Sequence, residues 1–318
     1  MALVSIIIPA HNAEEYLKGA IHSLLRQTYP WVEIIIVDDG STDGTAAVVR
    51  GFGNQVRSLY QVNAGPSAAR NAGLARARGK YVAFLDADDQ FHPERIEILV
   101  RALEAASPNA TFAVSDAWLW DGTRCLRRYN VSEGPAGERG LTRFLDDNRP
   151  YIGILARREA LVGVGGFRQD LWLNEDLHLW LRLLADGNTY VHVPEPLYLY
   201  RVRHHSLSRK WQLQLEGACQ LYLEALGRSS LSSGQRRRLA YLLWRDRARL
   251  HAAEAHRARA EGQPMRRIAF LGRYLGAQSV RMLLRPHFTA RRLWSKRNGE
   301  PCVLEEIPGP RDKHLLTR

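Results

Sequence analysis

Four apolar runs mark the first third of the chain: Val4-Ser5-Ile6-Ile7-Ile8, Glu33-Ile34-Ile35-Ile36-Val37, Tyr81-Val82-Ala83-Phe84-Leu85 and Ala110-Thr111-Phe112-Ala113-Val114. Runs of this length bounded by polar residues predict buried strands. Between them, Leu17, Ala20, Ile21, Leu24 and Leu25 share one helical face, as do Ile96, Leu99, Val100 and Leu103 after Pro93. Apolar strands alternating with amphipathic helices predict a layered α/β domain with a mostly parallel central sheet. Glycine and proline punctuate the connections, at Asp38-Asp39-Gly40-Ser41 and Ala64-Gly65-Pro66-Ser67. The polar, glycine-containing stretch 122–140 reads as an irregular loop or an exposed hairpin.

A second glycine cluster, Gly163-Val164-Gly165-Gly166-Phe167, leads to Asn174-Glu175-Asp176, after which Leu177, Trp180, Leu181 and Leu184 recur at helical spacing. Glu175 and Asp176 are therefore expected at a helix N-terminus, where the dipole and free amides favour carboxylates. Beyond about residue 208 the strand signals stop. Leu239, Leu242, Leu243, Leu250 and Ala253 approximate one helical face, interrupted by Asp246, and a further helix is expected from Met265 to about Leu284.

Length changes this picture little: 318 residues suggest roughly two domains, here 1–208 and 209–318. Charge changes it more. Residues 1–200 hold 20 Lys/Arg against 24 Asp/Glu, whereas residues 201–318 hold 25 against 9, and five of the 45 basic residues are lysine. The second part is strongly basic and rich in guanidinium, which suits contacts to phosphate. Cys125, Cys219 and Cys302 have no paired spacing, so neither a disulfide framework nor a zinc site is implied. No stretch approaches a membrane span, and Val4 to Pro9 is too short for a secretory signal; a cytosolic protein is expected.

The densest candidate chemistry is Asp86-Ala87-Asp88-Asp89, three carboxylates at the end of the third apolar run. Buried parallel strands present ligands at their carboxyl ends. Like charges this close need a hydrogen-bonding network, a raised pKa or a cation. Carboxylate oxygens suit a hard divalent ion such as Mg²⁺ or Mn²⁺ shared with a phosphate-bearing substrate. The alternative is a solvated acidic turn capping the helix near Pro93.

Ile8-Pro9-Ala10-His11-Asn12, Val37-Asp38-Asp39-Gly40-Ser41-Thr42-Asp43, Gly65-Pro66-Ser67-Ala68-Ala69-Arg70-Asn71 and Asp86-Ala87-Asp88-Asp89 together resemble the family-2 glycosyltransferases of the GT-A fold. Gly165-Gly166-Phe167 and the segment Asn174 to Arg182 resemble that family's acceptor-side elements. The resemblance covers roughly residues 1–208, with the remainder a basic helical accessory region. It implies an inverting hexosyl transfer from a nucleotide sugar, with a UDP-sugar the favoured donor, to a hydroxyl of a glycan or lipid-linked acceptor in bacterial surface polysaccharide assembly.

By the same resemblance, Asp39 meets the base, and Pro9, Ala10, Asn12, Glu14, Arg70, Asp86 and Ala87 lie at the nucleotide. Asp88, with Asp86, holds the Mn²⁺ or Mg²⁺, and Asp89 supports them. Asp176 is the implied base, oriented by Glu175. Each has a plainer reading. Asp39 could be an Asx-turn acid, Pro9 could end the strand, Asn12 could cap the helix, Arg70 could be a surface residue, and the two acids could merely cap theirs. In Tyr200-Arg201-Val202-Arg203-His204-His205, Arg203 takes the place where many members carry His. Arg203 cannot ligate a metal but could hold diphosphate, His204 or His205 could do either, and no third metal ligand is assigned.

The basic C-terminal part has two readings. Ile268, Phe270, Leu271, Tyr274 and Leu275 with Arg266, Arg267, Arg273, Arg281 and Arg285 suit an anionic bilayer surface, which would make the protein peripheral on the inner face of the membrane. Alternatively these apolar residues dock on the catalytic domain. Competing function classes are a non-enzymatic phosphate- or nucleic-acid-binding protein and a nucleotidyltransferase. No zinc finger, homeodomain or RNA-recognition signature supports nucleic-acid binding. A nucleotidyltransferase lacks its glycine-rich phosphate loop here, and a dehydrogenase lacks Gly-x-Gly-x-x-Gly after Ile8.

Overall fold

The computed structural model describes residues 1–129, 137–146, 153–171, 173–184, 187–202 and 211–284. In chain order its elements are β1 (Val4–Ala10), α1 (Glu14–Leu25), β2 (Val32–Asp39), α2 (Thr45–Gly51), β3 (Arg57–Gln61), α3 (Pro66–Arg76), β4 (Tyr81–Phe84), β5 (Gln90–Phe91) and α4 (Arg95–Ala105). Then come β6 (Ala110–Trp120), β7 (Cys125–Tyr129), β8 (Gly137–Gly140), α5 (Leu141–Asp146), β9 (Ile154–Arg157), α6 (Arg158–Gly163), α7 (Glu175–Leu183) and β10 (Thr189–Arg201). The helices α8 (Trp211–Leu226), α9 (Ser233–Ala260) and α10 (Pro264–Leu284) complete the described chain. Two compact units result, one from the described residues of 1–140 and 147–204, the other from those of 141–146 and 205–298.

The first unit is built on one sheet of order β3-β2-β1-β4-β9-β6-β10-β5, with β7 beside β6 and β8 beside β10. The four apolar runs form β1, β2, β4 and the start of β6, and their side chains are almost wholly buried. The half β3-β2-β1-β4 is parallel throughout, as expected. Beyond it the sheet is mixed: β9 runs antiparallel to both β4 and β6, while β6 and β10 are parallel. The stretch after residue 120 is in part a hairpin, with Trp120 opposite Cys125 and Ala117 opposite Tyr129. Residues 130–136 lie outside the described residues.

In the second unit α9 runs through Asp246, the acidic position that interrupts its apolar face. The buried Asp246 carboxylate accepts from Arg245 Nε at 2.7 Å and Nη2 at 2.9 Å, so the charge is paired inside the helix. Ser232 and Gln235 form a reciprocal cap at the start of α9. At its end Gln263 N and Gly262 N donate to Ala258 O and Arg259 O, a Schellman stop that turns the chain into α10. Arg237 in α9 donates to the Leu284 carbonyl at the far end of α10, as antiparallel packing requires. Among the described residues no helix is long and apolar enough to cross a membrane.

Candidate active site

The parallel half of the sheet delivers β1, β2 and β4 with their carboxyl ends side by side. β1 extends through Ala10 rather than stopping at Pro9, and Asn12 does not cap α1, whose N-terminal flank is Ala13. Asn12 instead takes a left-handed backbone (φ 48°), and its Oδ1 accepts from Thr42 N at 2.8 Å. Glu14 opens α1, and its carboxylate accepts from Gly44 N at 2.9 Å. The β1 and β2 loops are thus stitched to one another.

Asp38 and Asp39 end β2 with different tasks. Asp38 Oδ1 accepts from Ser41 N at 2.9 Å, closing the Asx-type turn. Asp39 is buried and clamps the next loop: Oδ1 accepts from Gln61 Nε2 at 2.7 Å and Ala64 N at 2.9 Å, and Oδ2 from Gly65 N at 2.9 Å. A carboxylate offers about four acceptor sites, so capacity remains for one further donor. Gly40 between these loops has φ 72°, and a Cβ there would stand 2.7 Å from Asn63 N.

Arg70 joins the two acidic motifs. Its side chain is buried under α3; Nη2 donates to Asp86 Oδ1 and Nη1 to Glu175 Oε1, each at 2.8 Å. Flanked by two carboxylates, the guanidinium has its pKa pushed up despite burial, so it stays charged. It also lies over the Phe167 ring, 5.4 Å from its centroid. The surface-residue alternative for Arg70 is thereby excluded.

The turn at Gly165-Gly166-Phe167 fixes this alignment. Asn71 Nδ2 donates to Phe167 O at 2.7 Å while Phe167 N donates to Asn71 Oδ1 at 2.8 Å. Gly166, at φ 65°, leaves no room for a Cβ, which would meet Asn71 Oδ1 at 2.5 Å. From the other side, Arg182 of α7 donates to the carbonyls of Val164 and Gly166. Asn174, left-handed at φ 60°, then sets Glu175 and Asp176 in the first turn of α7. Asp176 Oδ1 accepts from its neighbour Leu177 N at 2.6 Å. Desolvation, then the adjacent Glu175 charge, raises its pKa to about 7.

The acidic loop after β4 is not a solvated turn. Asp89 is buried, its Oδ2 accepting from Tyr198 OH at 2.6 Å and its Oδ1 from Arg201 N at 2.7 Å. Burial, with the charges of Asp88 and Asp86, pushes its pKa well up. Arg201 Nε donates to the Asp88 carbonyl at 3.0 Å, and its guanidinium lies over the rings of Trp120 and Tyr16, at 4.1 Å and 5.0 Å. Tyr198 and Arg201 were not assigned from sequence. Arg201 stands in a segment already singled out, but nothing local marks Tyr198. Arg203, His204 and His205 lie outside the described residues.

A divalent ion is implied by the resemblance, and the donor set fits one. Asp86 and Asp88 supply hard carboxylate oxygens on one short loop. Among the described residues no group of three or more His, Cys, Asp or Glu is placed to hold a metal ion. Two carboxylates completed by water and phosphate oxygens is the arrangement Mg²⁺ and Mn²⁺ favour at phosphate-bearing substrates.

Residues 5–161 match the sequence model of the family described as Glycosyl transferase family 2. TuaG of Bacillus subtilis (strain 168), named as a teichuronic acid biosynthesis glycosyltransferase, is 32% identical over 216 residues, covering 66% of this chain and 83% of that protein. The chain belongs to glycosyltransferase family 2. It spans between 32% and 64% of the length of other curated relatives such as GlyA of Streptococcus pneumoniae and ExoO of Rhizobium meliloti. The fold is that of S. aureus TarS, whose crystal structure with UDP-GlcNAc superposes with a TM-score of 0.68 at 21% identity, over 87% of this chain and 82% of that one. The chain is therefore an α/β GT-A glycosyltransferase with C-terminal helices, and the non-enzymatic and nucleotidyltransferase alternatives give way.

Proposed function

We propose that this glycosyltransferase moves a sugar from a nucleotide donor, a UDP-sugar first among the candidates, to a hydroxyl of a glycan or lipid-linked acceptor, with inversion at the anomeric carbon. One observation carries the reading. A single buried guanidinium, Arg70, holds Asp86 of the β4 loop and Glu175 of α7 together, so donor-side and acceptor-side acids share one site.

In this reading Pro9, Ala10 and Asn12 flank the nucleoside, and Glu14 holds the β2 loop through Gly44. The remaining acceptor capacity of Asp39 takes the base N–H. Asp86 and Asp88 would hold Mn²⁺ or Mg²⁺, which when bound neutralises charge on the leaving diphosphate. Arg70 fixes Asp86 and Glu175, with Ala87 small enough for close approach of the donor. Asp176, poised near neutral pH, takes the proton from the acceptor hydroxyl as that oxygen attacks. A base opposite the leaving group gives one in-line displacement. The UDP-GlcNAc complex of TarS and the relation to TuaG support a uridine donor and a cell-envelope polysaccharide setting.

The test is a panel of nucleotide sugars assayed for nucleotide release and acceptor glycosylation, with Mn²⁺ and after chelation. Turnover should require the ion, Asp88→Ala should abolish it with the fold intact, and NMR should find the product anomer inverted. Retention of configuration, or full turnover by Asp88→Ala, would sink the assignment.

A further inference from the structure

β6 carries a second charged cluster on the face of the sheet that holds the site. Ala83, Leu155 and Ala113 stand in one row across β4, β9 and β6, so β4 and β6 run parallel, about 10 Å apart. Three residues further along come Asp86 after β4 and Asp116 within β6. Residues in one row share a face, and on this one Phe84 packs on Phe167 at 5.0 Å and Phe112 on Trp180 of α7 at 5.4 Å. Asp116 is thus level with Asp86 beside the site, and Trp118 lies one pleat beyond it.

Three charged side chains are locked together there. Asp116 is buried; its Oδ1 pairs with His192 Nε2 and its Oδ2 accepts from Arg128 Nη2, each at 2.9 Å. Arg128 Nη2 also donates to Pro194 O at 2.5 Å, where β10 shifts register. Both Nη2 protons are then spent. Nε is buried without an acceptor, and among the described residues none accepts from Nη1. A guanidinium has five N–H donors, so most of this one's capacity is unused on a side chain that is fixed in place yet 38% exposed. Directly opposite Arg128 in the β6–β7 ladder stands Trp118, half-buried against Trp120 and Leu199.

What such a pair takes follows from its charge and shape. Asp116 already neutralises Arg128, so a carboxylate or phosphate gains little there, whereas an uncharged hydroxyl oxygen accepts from Nη1 at no such disadvantage. The indole of Trp118 offers an apolar ring face with a polar edge. A ligand with one apolar ring face and a rim of hydroxyls meets both. We infer that Trp118 and Arg128 form an acceptor subsite for an uncharged pyranose ring, beside the reacting hydroxyl rather than at it. Asp116 and His192 are positioning residues, holding the guanidinium without touching the sugar. The inference rests on the glycan acceptor of the proposed function.

Saturation-transfer NMR on the full chain reads the subsite with methyl glycosides of glucose, galactose and N-acetylglucosamine, and with methyl glucuronide as the anionic probe. At least one neutral glycoside should bind, and Trp118→Ala and Arg128→Ala should each weaken it at least about tenfold. The Kd for UDP with Mn²⁺, by calorimetry, should stay within about twofold of the parent in both. Arg128→Lys keeps a cation against Asp116, so a merely structural role predicts parental glycoside binding. Recognition predicts the same tenfold loss, about, because an ammonium does not reproduce the guanidinium's fixed donors. Should the alanine variants fail to fold, Arg128→Lys decides. No glycoside bound, binding confined to the glucuronide, or parental binding by Arg128→Lys overturns the inference. So does a loss of UDP-GlcNAc affinity in the variants with glycoside binding unchanged, which gives the pair to the donor sugar. A parent that binds no UDP sinks the donor reading alone, and the glycoside result still stands or falls by itself.

Discussion

Arg70 Nη1 donates to Glu175 Oε1 at 2.8 Å across 105 positions of sequence. Because the same guanidinium also holds Asp86, removing it leaves two acids facing each other with no cation between them. Arg70→Ala should cost about 3 kcal/mol of stability and abolish transfer. Arg70→Lys should fold better yet remain impaired, because an ammonium cannot reproduce the two-pronged geometry. Thermal unfolding and nucleotide release on the two variants check both statements.

The Asp176 pKa of about 7 carries a pH signature. As a base it must be ionised, so kcat/KM should rise with pH through about 7, and Asp176→Asn should remove that limb together with most of the rate. Stability runs the other way. A carboxyl whose folded pKa exceeds its unfolded value binds more protons when folded, so its contribution falls as pH rises from about 4 to about 7. Asp176→Asn should thus gain more stability relative to the parent at pH 8 than at pH 5, measured by denaturant titration without added divalent ion.

Tyr198→Phe tests the support of the acidic loop. The change deletes the hydroxyl that donates to Asp89 at 2.6 Å and leaves a buried acceptor short of a partner. The expected cost is about 1–3 kcal/mol. Turnover should fall, with the affinity for Mn²⁺ reduced in calorimetry.

Gly40→Ala probes the nucleotide side. The new Cβ must tolerate φ 72° and displace Asn63 N from 2.7 Å, moving the loop whose amides bind Asp39. A loss of about 2 kcal/mol is expected, with KM for the donor raised more than kcat is lowered. Steady-state kinetics separates the two parameters.

The sheet was legible where burial writes itself as apolar runs, as in β1, β2, β4 and the start of β6. It was not legible at the edge strand β3, where half-buried Arg57, Leu59 and Gln61 alternate with exposed Ser58 and Tyr60 and no apolar run forms, nor in β10, where Pro194 and Pro196 mask a strand that accommodates them at register shifts against β6. The acids of the site were readable from their motifs. Their partners were not: Tyr198 reaches Asp89 across 109 positions, and such pairings follow from strand order rather than local pattern. Asp39 shows the same divide, since its motif marked it for recognition while its three accepted hydrogen bonds reveal a structural duty alongside.

The short ladder of β5 on β10, Gln90 and Phe91 opposite Leu199 and Tyr198, ties the segment just after the acids to a strand that arrives a hundred residues later. During synthesis the parallel half can collapse early on neighbouring contacts and Arg70 can already hold Asp86, but Asp89 gains its partners Tyr198 and Arg201 only once β10 has emerged and paired. The full set of contacts around Asp89 is therefore missing from any form lacking that strand, and the order of chain growth itself separates a folded scaffold from a completed acidic loop.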